Sequence, residues 1–200
     1  MADPTYRDGL RNITRDIAAT ILQREGLAAL QARKIALAAN CSVGTLYNIW
    51  RNLDELTIAA NAVTLAQFGN LLVAARDGTG SDADLEPRLL ALAEAYVRFA
   101  VENQPAWRAL FDHRMAPAHT VPDWYRDAQR GLFAIVETVL QPYVPDLAER
   151  ARASRALFGS VHGIVSLALD EKLGNFDRAD CEAQVRFIVA AAARGLAHRP

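Results

Sequence analysis

The sequence predicts an all-α protein of about nine helices, with a small N-terminal helix-turn-helix domain followed by a larger helical domain. Three observations carry this. Apolar residues recur at three- and four-residue intervals along nearly the whole chain, no segment alternates as a half-buried strand would, and the breaks between apolar stripes are short. With 200 residues, 52% hydrophobic and 22% charged, the chain has an ordinary globular balance and enough length for one large domain or two small ones.

Leu10, Ile13, Ile17 and Ile21 mark a first amphipathic helix that ends near Gly26. A second helix spans about residues 32–40, with Ile35 and Ala39 facing inward, and a polar break follows at Asn40-Cys41. The third opens at Ser42 and runs to about Trp50, with Val43, Leu46 and Trp50 on one face. Two short helices around such a break are the pattern of a helix-turn-helix. Asn52 is placed to cap a fourth helix, with Asp54 and Glu55 in the first turn where the helix dipole favours them. That helix reaches about Arg76, before the polar run DGTGSD at residues 77–82.

Leu85, Leu89, Leu92, Tyr96 and Phe99 mark the fifth helix, stopped near Gln104-Pro105 because the residue before proline avoids the helical region. A short sixth carries Trp107, Leu110 and Phe111, and residues 115–122, with two prolines, read as loop. Asp123 caps a seventh with Leu132, Val136 and Val139, ended by Pro142 and Pro145. Asp146 and Glu149 have capping-box spacing for an eighth through Leu157, Val161, Ile164 and Ala168, with a stop at Gly174. Asp177 starts a ninth with Val185, Ile188, Val189, Ala192 and Leu196.

Charge is distributed unevenly. Residues 1–52 carry seven Lys/Arg against four Asp/Glu, a surplus of three positive charges, so the rest holds four net negative charges within the formal total of −1. A basic head on an acidic body suits a protein whose N-terminal end meets phosphates. No stretch reaches the roughly 18 uninterrupted apolar residues of a membrane span, and MADPTYRDGL lacks a signal core. A cytosolic protein without a membrane partner is expected. Cys41 and Cys181 have no metal-binding or disulfide spacing, so no metal and no cofactor is indicated. No nucleophile, base and orienting group fall into a catalytic pattern, and His113 beside Asp112 is only a neighbouring pair, so the chain is read as non-enzymatic.

The segment IAATILQREGLAALQARKIALAANCSVGTLYNIWRNLDELTIAA resembles the N-terminal DNA-binding domain of TetR-family transcriptional repressors. The likeness rests on the Gly26 turn, Lys34-Ile35-Ala36, the run Ser42-Val43-Gly44-Thr45-Leu46-Tyr47, the aromatic Trp50 and Glu55-Leu56, and it covers roughly residues 10–60. The rest matches in layout, since such regulators carry a variable helical ligand-binding and dimerisation domain of about this size. The resemblance therefore divides the chain into a DNA-binding domain, 1–52, and an effector-binding and dimerisation domain, 53–200. Four positions depart from the family pattern: Asn40 stands where Gly is common, Gln31 where Thr or Ser is frequent, Ile49 where Tyr or His is usual, and Leu53 where a phosphate-binding Lys is usual. Phe158-Gly159, Val161 and His162-Gly163 resemble a Trp-His-Gly signature of one subgroup, with Val161 in the Trp place.

With Leu46 and Trp50 inward, the third helix projects Gly44, Thr45 and Asn48 outward. Thr45 and Asn48 can reach base edges or phosphates, Gly44 lets the backbone come close, and Tyr47 can donate to a phosphate. Arg33, Lys34 and Arg51 supply flanking charge, and Ser42 opens the helix. The alternative is that Thr45 and Asn48 are only solvated and Tyr47 is packing.

One recognition helix reads few base pairs, so a homodimer on a palindromic double-stranded operator is expected. Leu157, Ser160, Ile164, Val185, Ile188, Val189, Ala192 and Leu196 on the last two helices are the candidate interface, and intramolecular core is the alternative. Seven of the fifteen aromatic residues fall between positions 96 and 133. Tyr96, Phe99, Trp107, Phe111, Trp124, Tyr125 and Phe133, with His113, Met115 and His162, are the candidate lining of a small-molecule effector site, with His119 a further polar group nearby, against plain core packing. The implied function is a ligand-released repressor with the fourth helix as lever. Two rivals remain: a dimeric small-molecule-binding protein with weakened or lost DNA binding, and a thiol sensor using Cys41.

Overall fold

The computed structural model describes residues 4–80, 83–170 and 178–197. Among them the chain forms nine α-helices, one 3₁₀ turn and no strand. The helices are α1 (Pro4–Glu25), α2 (Ala32–Ala38), α3 (Val43–Ile49), α4 (Leu53–Gly78) and α5 (Leu85–Glu102), then α6 (Gln104–Asp112), α7 (Asp123–Leu140), α8 (Leu147–Leu169) and α9 (Arg178–Ala197), with the 3₁₀ turn at Leu27–Ala29. The expected helix stop at Gly174, the expected start at Asp177 and the Ser81-Asp82 end of the polar run lie outside the described residues. Helix α8 ends well before Gly174, where the Asp170 amide donates to the Ser166 carbonyl at 3.0 Å.

Packing groups the chain into two compact units, Met1–Gln67 with Asn103–Ala128, and Phe68–Glu102 with Gln129–Pro200. In the first unit α1 is the spine, packed against α2, α3, the 3₁₀ turn and α6. Leu10, Ala18, Ile21, Leu22, Ile35, Leu46, Ile49, Trp50, Leu56, Ala60 and Ala109 form its core. Ile13, expected on the inner stripe, is instead 51% exposed, and Thr14 is fully buried. With Leu10, Ala18 and Leu22 inward, a four-residue step places position 14 on the stripe and position 13 beside it. The Thr14 hydroxyl donates to the Leu10 carbonyl at 2.8 Å and accepts from Trp50 Nε1 at 3.0 Å, so its burial leaves no polar group orphaned.

Gly26 ends α1 with φ +80°, a backbone that L side chains rarely adopt. Asn40 turns the chain between α2 and α3 with φ +51°. Pro105 lies in the first turn of α6, where a missing amide proton costs nothing, so the proline that ends α5 also starts its successor.

Helix α4 is long and apolar enough to cross a membrane by length and composition, with mean hydropathy 1.5 over its best window. Its apolarity goes into packing: Leu56, Ile58, Ala60, Leu65, Phe68 and Leu72 are buried, and the same helix buries the polar Thr57, Asn61 and Thr64.

In the second unit α5 packs along α9, and α8 packs against both. The expected α5 stripe of Leu85, Leu89, Leu92, Tyr96 and Phe99 is buried throughout, as are Val161 and Val165 of α8 and Val185, Val189 and Ala193 of α9. Asp146 caps α8 by accepting from the Glu149 amide at 2.8 Å, and buried Arg150 donates to the Val144 carbonyl at 3.2 Å.

Candidate nucleic-acid interface

The recognition helix is α3. Ser42 caps it, its Oγ accepting from the Thr45 amide at 3.0 Å and lying 2.9 Å from Thr45 Oγ1. Leu46, Ile49 and Trp50 are buried, while Gly44, Tyr47 and Asn48 are exposed and Thr45 is half-buried. A Cβ built on Gly44 would meet nothing closer than Ser42 Oγ at 3.7 Å, so its outer face is open. Six of the eight nominated residues, Ser42, Gly44, Thr45, Tyr47, Asn48 and Arg51, thus lie on or beside one short helix. Arg33 is exposed on α2. Two of the nominated cations are paired with acids: Lys34 Nζ lies 2.6 Å from Glu25 Oε1, and Arg51 Nε lies 3.5 Å from Glu55 Oε2.

Ile49 and Leu53 have structural roles. Ile49 belongs to the core and Leu53 packs partly against it.

Four further residues fix the helix from behind, and sequence reasoning missed their role. Arg11 on α1 lies over the Trp50 ring, 3.8 Å from its centroid, and donates to the Ile49 carbonyl at 2.7 Å and to Glu55 Oε1 at 2.8 Å. Arg7, one turn earlier, donates to the Asn48 carbonyl at 3.2 Å. These are free carbonyls at the C-terminal end of a short helix, where arginine is favoured. Thr14 anchors Trp50 and Glu55 receives Arg11. The four-residue spacing of Arg7 and Arg11 was the available signal. Burial alone would raise the Glu55 carboxyl, but the Arg11 hydrogen bond, the Arg51 amide and the two charges outweigh it and hold it below the usual range.

Behind α3, Asn52 Oδ1 accepts from the Glu55 amide at 2.8 Å, the expected cap of α4. Asp54 in the first turn accepts from His113 Nε2 at 3.0 Å, His119 Nδ1 at 2.7 Å and the Ala116 amide at 3.1 Å. Burial would raise its carboxyl, but the bonds from His119, Ala116 and His113 prevail and bring it down to about 2. No group of three or more His, Cys, Asp or Glu among the described residues is arranged to hold a metal ion.

The ten residues nominated for an effector fall into two sets. The first unit holds Trp107, Phe111, His113, Met115, Trp124 and Tyr125. Trp107 packs on Phe111 at 5.4 Å between centroids; Phe111 and Trp124 are exposed, Tyr125 is buried, and His113 is committed to Asp54. Burial pushes the Tyr125 phenol up to about 12.

The second unit holds Tyr96, Phe99, Phe133 and His162, which meet around Phe68 and Phe158, two aromatics not nominated. Tyr96 Oη lies 2.7 Å from His162 Nδ1, and His162 stacks on Phe158 at 5.4 Å. Burial pushes the His162 pKa down, which favours the neutral ring.

Of the candidate interface residues, Val185 and Val189 are buried inside the second unit, as core rather than partner-facing surface. Leu157, Ile164, Ile188, Ala192 and Leu196 are half-buried and Ser160 is exposed. The large exposed apolar side chains on these helices are Leu147, at the start of α8, with Leu167 and Phe187, at 73%, 40% and 72%, and none was nominated. Cys41 is half-buried and burial pushes its thiol up, which lowers the thiolate fraction a sensor would need.

Residues 89–192 match the family model described as the Tetracyclin repressor-like, C-terminal domain. No curated protein matches the sequence. Among solved structures, a protein of unknown function from Rhodococcus sp. RHA1 superposes with TM-score 0.75 and 22% identity, over 94% of this chain and 96% of that one. A tetR-family transcriptional regulator from Streptomyces coelicolor superposes with TM-score 0.66 and 21% identity, over 98% and 84%. The multidrug-binding protein EbrR, complexed with imidazole, does so with TM-score 0.62 and 18% identity, over 91% and 93%. These likenesses concern the fold. The family match spans more than half of the chain, and together with the helix-turn-helix geometry it places this protein in the TetR family of transcriptional regulators.

Proposed function

We propose that the protein is a homodimeric repressor that binds a palindromic operator and is released by a small apolar or aromatic effector. Residues 1–52 read DNA, and residues 53–200 bind the effector and the second subunit. The observation that carries the reading is the two-sided character of α3: Leu46, Ile49 and Trp50 are locked inward while Gly44, Thr45, Tyr47 and Asn48 form a free edge. In a major groove Thr45 and Asn48 meet base edges, while Tyr47, Arg33 and the amide end of α3 meet phosphates.

The effector reading is supported by the second unit's aromatic cluster, which joins ring faces to one polar pair, Tyr96 and His162. Imidazole bound to EbrR, a protein of the same fold, agrees with a small aromatic ligand. An effector releases DNA only by its differential affinity for the two conformations. Leu167 and Phe187, with the half-buried residues of α8 and α9, are the proposed subunit contact.

Selection of bound duplex from a random pool tests the reading, with enrichment of a palindrome as the expected outcome. The ion pairs of Lys34 and Arg51 favour a second reading, a dimeric small-molecule-binding protein with weakened DNA affinity. No enrichment from the pool even at low salt would select it.

A further inference from the structure

We propose that Asp54, His113 and His119 form a clasp that positions the first turn of α4, and through it the recognition helix, for DNA binding. The proposal rests on the DNA-binding reading above and adds residues outside any DNA contact.

The hydrogen-bond roles follow from one another. Asn52 Oδ1 is taken by the Glu55 amide, so its Nδ2 is what faces His119 Nε2 at 3.0 Å. Nε2 must therefore accept, the ring proton sits on Nδ1, and Nδ1–H donates to Asp54 Oδ2 at 2.7 Å. His113 carries a proton on its other ring nitrogen, Nε2–H donating to Asp54 Oδ1 at 3.0 Å. The Ala116 amide donates the third bond to the carboxylate. All three donors come from the segment that follows α6, and the acceptor lies in the first turn of α4, just after α3.

This is a point of control because the same turn is tied to the recognition helix. Glu55, beside Asp54, holds Arg11, and Arg11 holds the Ile49 carbonyl and covers Trp50. A shift at His113 or His119 thus reaches the end of α3 through two adjacent residues. The His113 side chain is only 8% exposed, so water does not readily replace its bond to Asp54. The end of α6 is itself held by α4. The Ala109 carbonyl accepts from Asn61 Nδ2 at 3.1 Å, whereas the helix-closing bond from the His113 amide is stretched to 3.4 Å. Asn61 is 1% exposed and its Oδ1 has no partner, so this contact is not at its own hydrogen-bonding optimum.

The experiment uses the full-length chain, the duplex enriched from the random pool, and ¹⁵N-labelled histidine. Long-range ¹H–¹⁵N correlation should show His119 protonated on Nδ1 and His113 on Nε2. A fluorescence titration should show His113→Leu binding the duplex about tenfold more weakly, the scale of one hydrogen bond to a charged group. His113→Gln places an amide donor near the Nε2 position and should restore most of that loss, with Tm measured for each variant. Asp54→Asn, similar in size, should also weaken binding, and together with His113→Gln it decides the matter if the leucine variant does not fold. A His119 proton on Nε2, or wild-type affinity in both His113→Leu and Asp54→Asn, overturns the clasp while leaving the DNA-binding reading intact. A wild-type chain that enriches no duplex overturns both.

Discussion

Arg11 shows how much one side chain can settle. It satisfies a helix-end carbonyl, pairs with Glu55 and covers the Trp50 ring, and so joins α1, α3 and the start of α4. Arg11→Met keeps the aliphatic stem and removes the three polar interactions. We expect a loss of about 1–2 kcal/mol in denaturant unfolding, because the guanidinium is partly exposed and its ion pair is screened. Asp54 gives a pH signature. Its carboxyl lies at about 2, below the ordinary 3.8, so the stability it contributes is fully present above 3.8 and is lost as the pH falls toward 2. Asp54→Asn should flatten the acid limb of the stability–pH curve in that window, and an unchanged limb would show that the carboxylate is not held as described. At this scale the sequence exposed part of the site. Gly44, Thr45, Tyr47 and Asn48 follow from helical register once Leu46 and Trp50 are inward. Arg7, Arg11 and His119 do not, because their partners lie roughly forty to seventy positions away and no local pattern records such a pairing.

Among the elements, the turn between α2 and α3 carries the tightest backbone requirement. Asn40 occupies the left-handed region, which Gly enters freely, Asn tolerates and β-branched residues strongly resist. Asn40→Gly should leave Tm nearly unchanged, whereas Asn40→Val should destabilise by about 1–2 kcal/mol. Equal melting of the two variants would contradict the assigned conformation. Helix positions were largely legible because caps and prolines are local signals: Asn52, Asp146 and Pro105 act where the sequence places them. Which face of a helix turns inward was less legible where two adjacent positions compete. Ile13 is the more apolar residue, yet Thr14 is buried, since Trp50 supplies a donor for its hydroxyl.

For the whole molecule the proposed dimer makes a direct prediction. Phe187 is 72% exposed, with Leu167 also open, and an exposed phenylalanine on a regular helix suits a partner surface. Phe187→Ser should weaken self-association in sedimentation while leaving the monomer fold intact by circular dichroism. Unaltered self-association would move the interface elsewhere. Helical periodicity pointed to Val185 and Val189 with equal force, and packing against α5 and α8 makes these two core instead.

By itself the sequence determined the helical class, nearly all helix positions, the helix-turn-helix and its outward edge, because each depends on residues within a few turns of one another. Only the tertiary structure decided which apolar stripes are core and which are surface. It also decided that the aromatic middle separates into two sets, and that two histidines close on the carboxylate of Asp54. Those outcomes depend on which distant segments meet, and periodicity records only that a face is apolar, not what covers it.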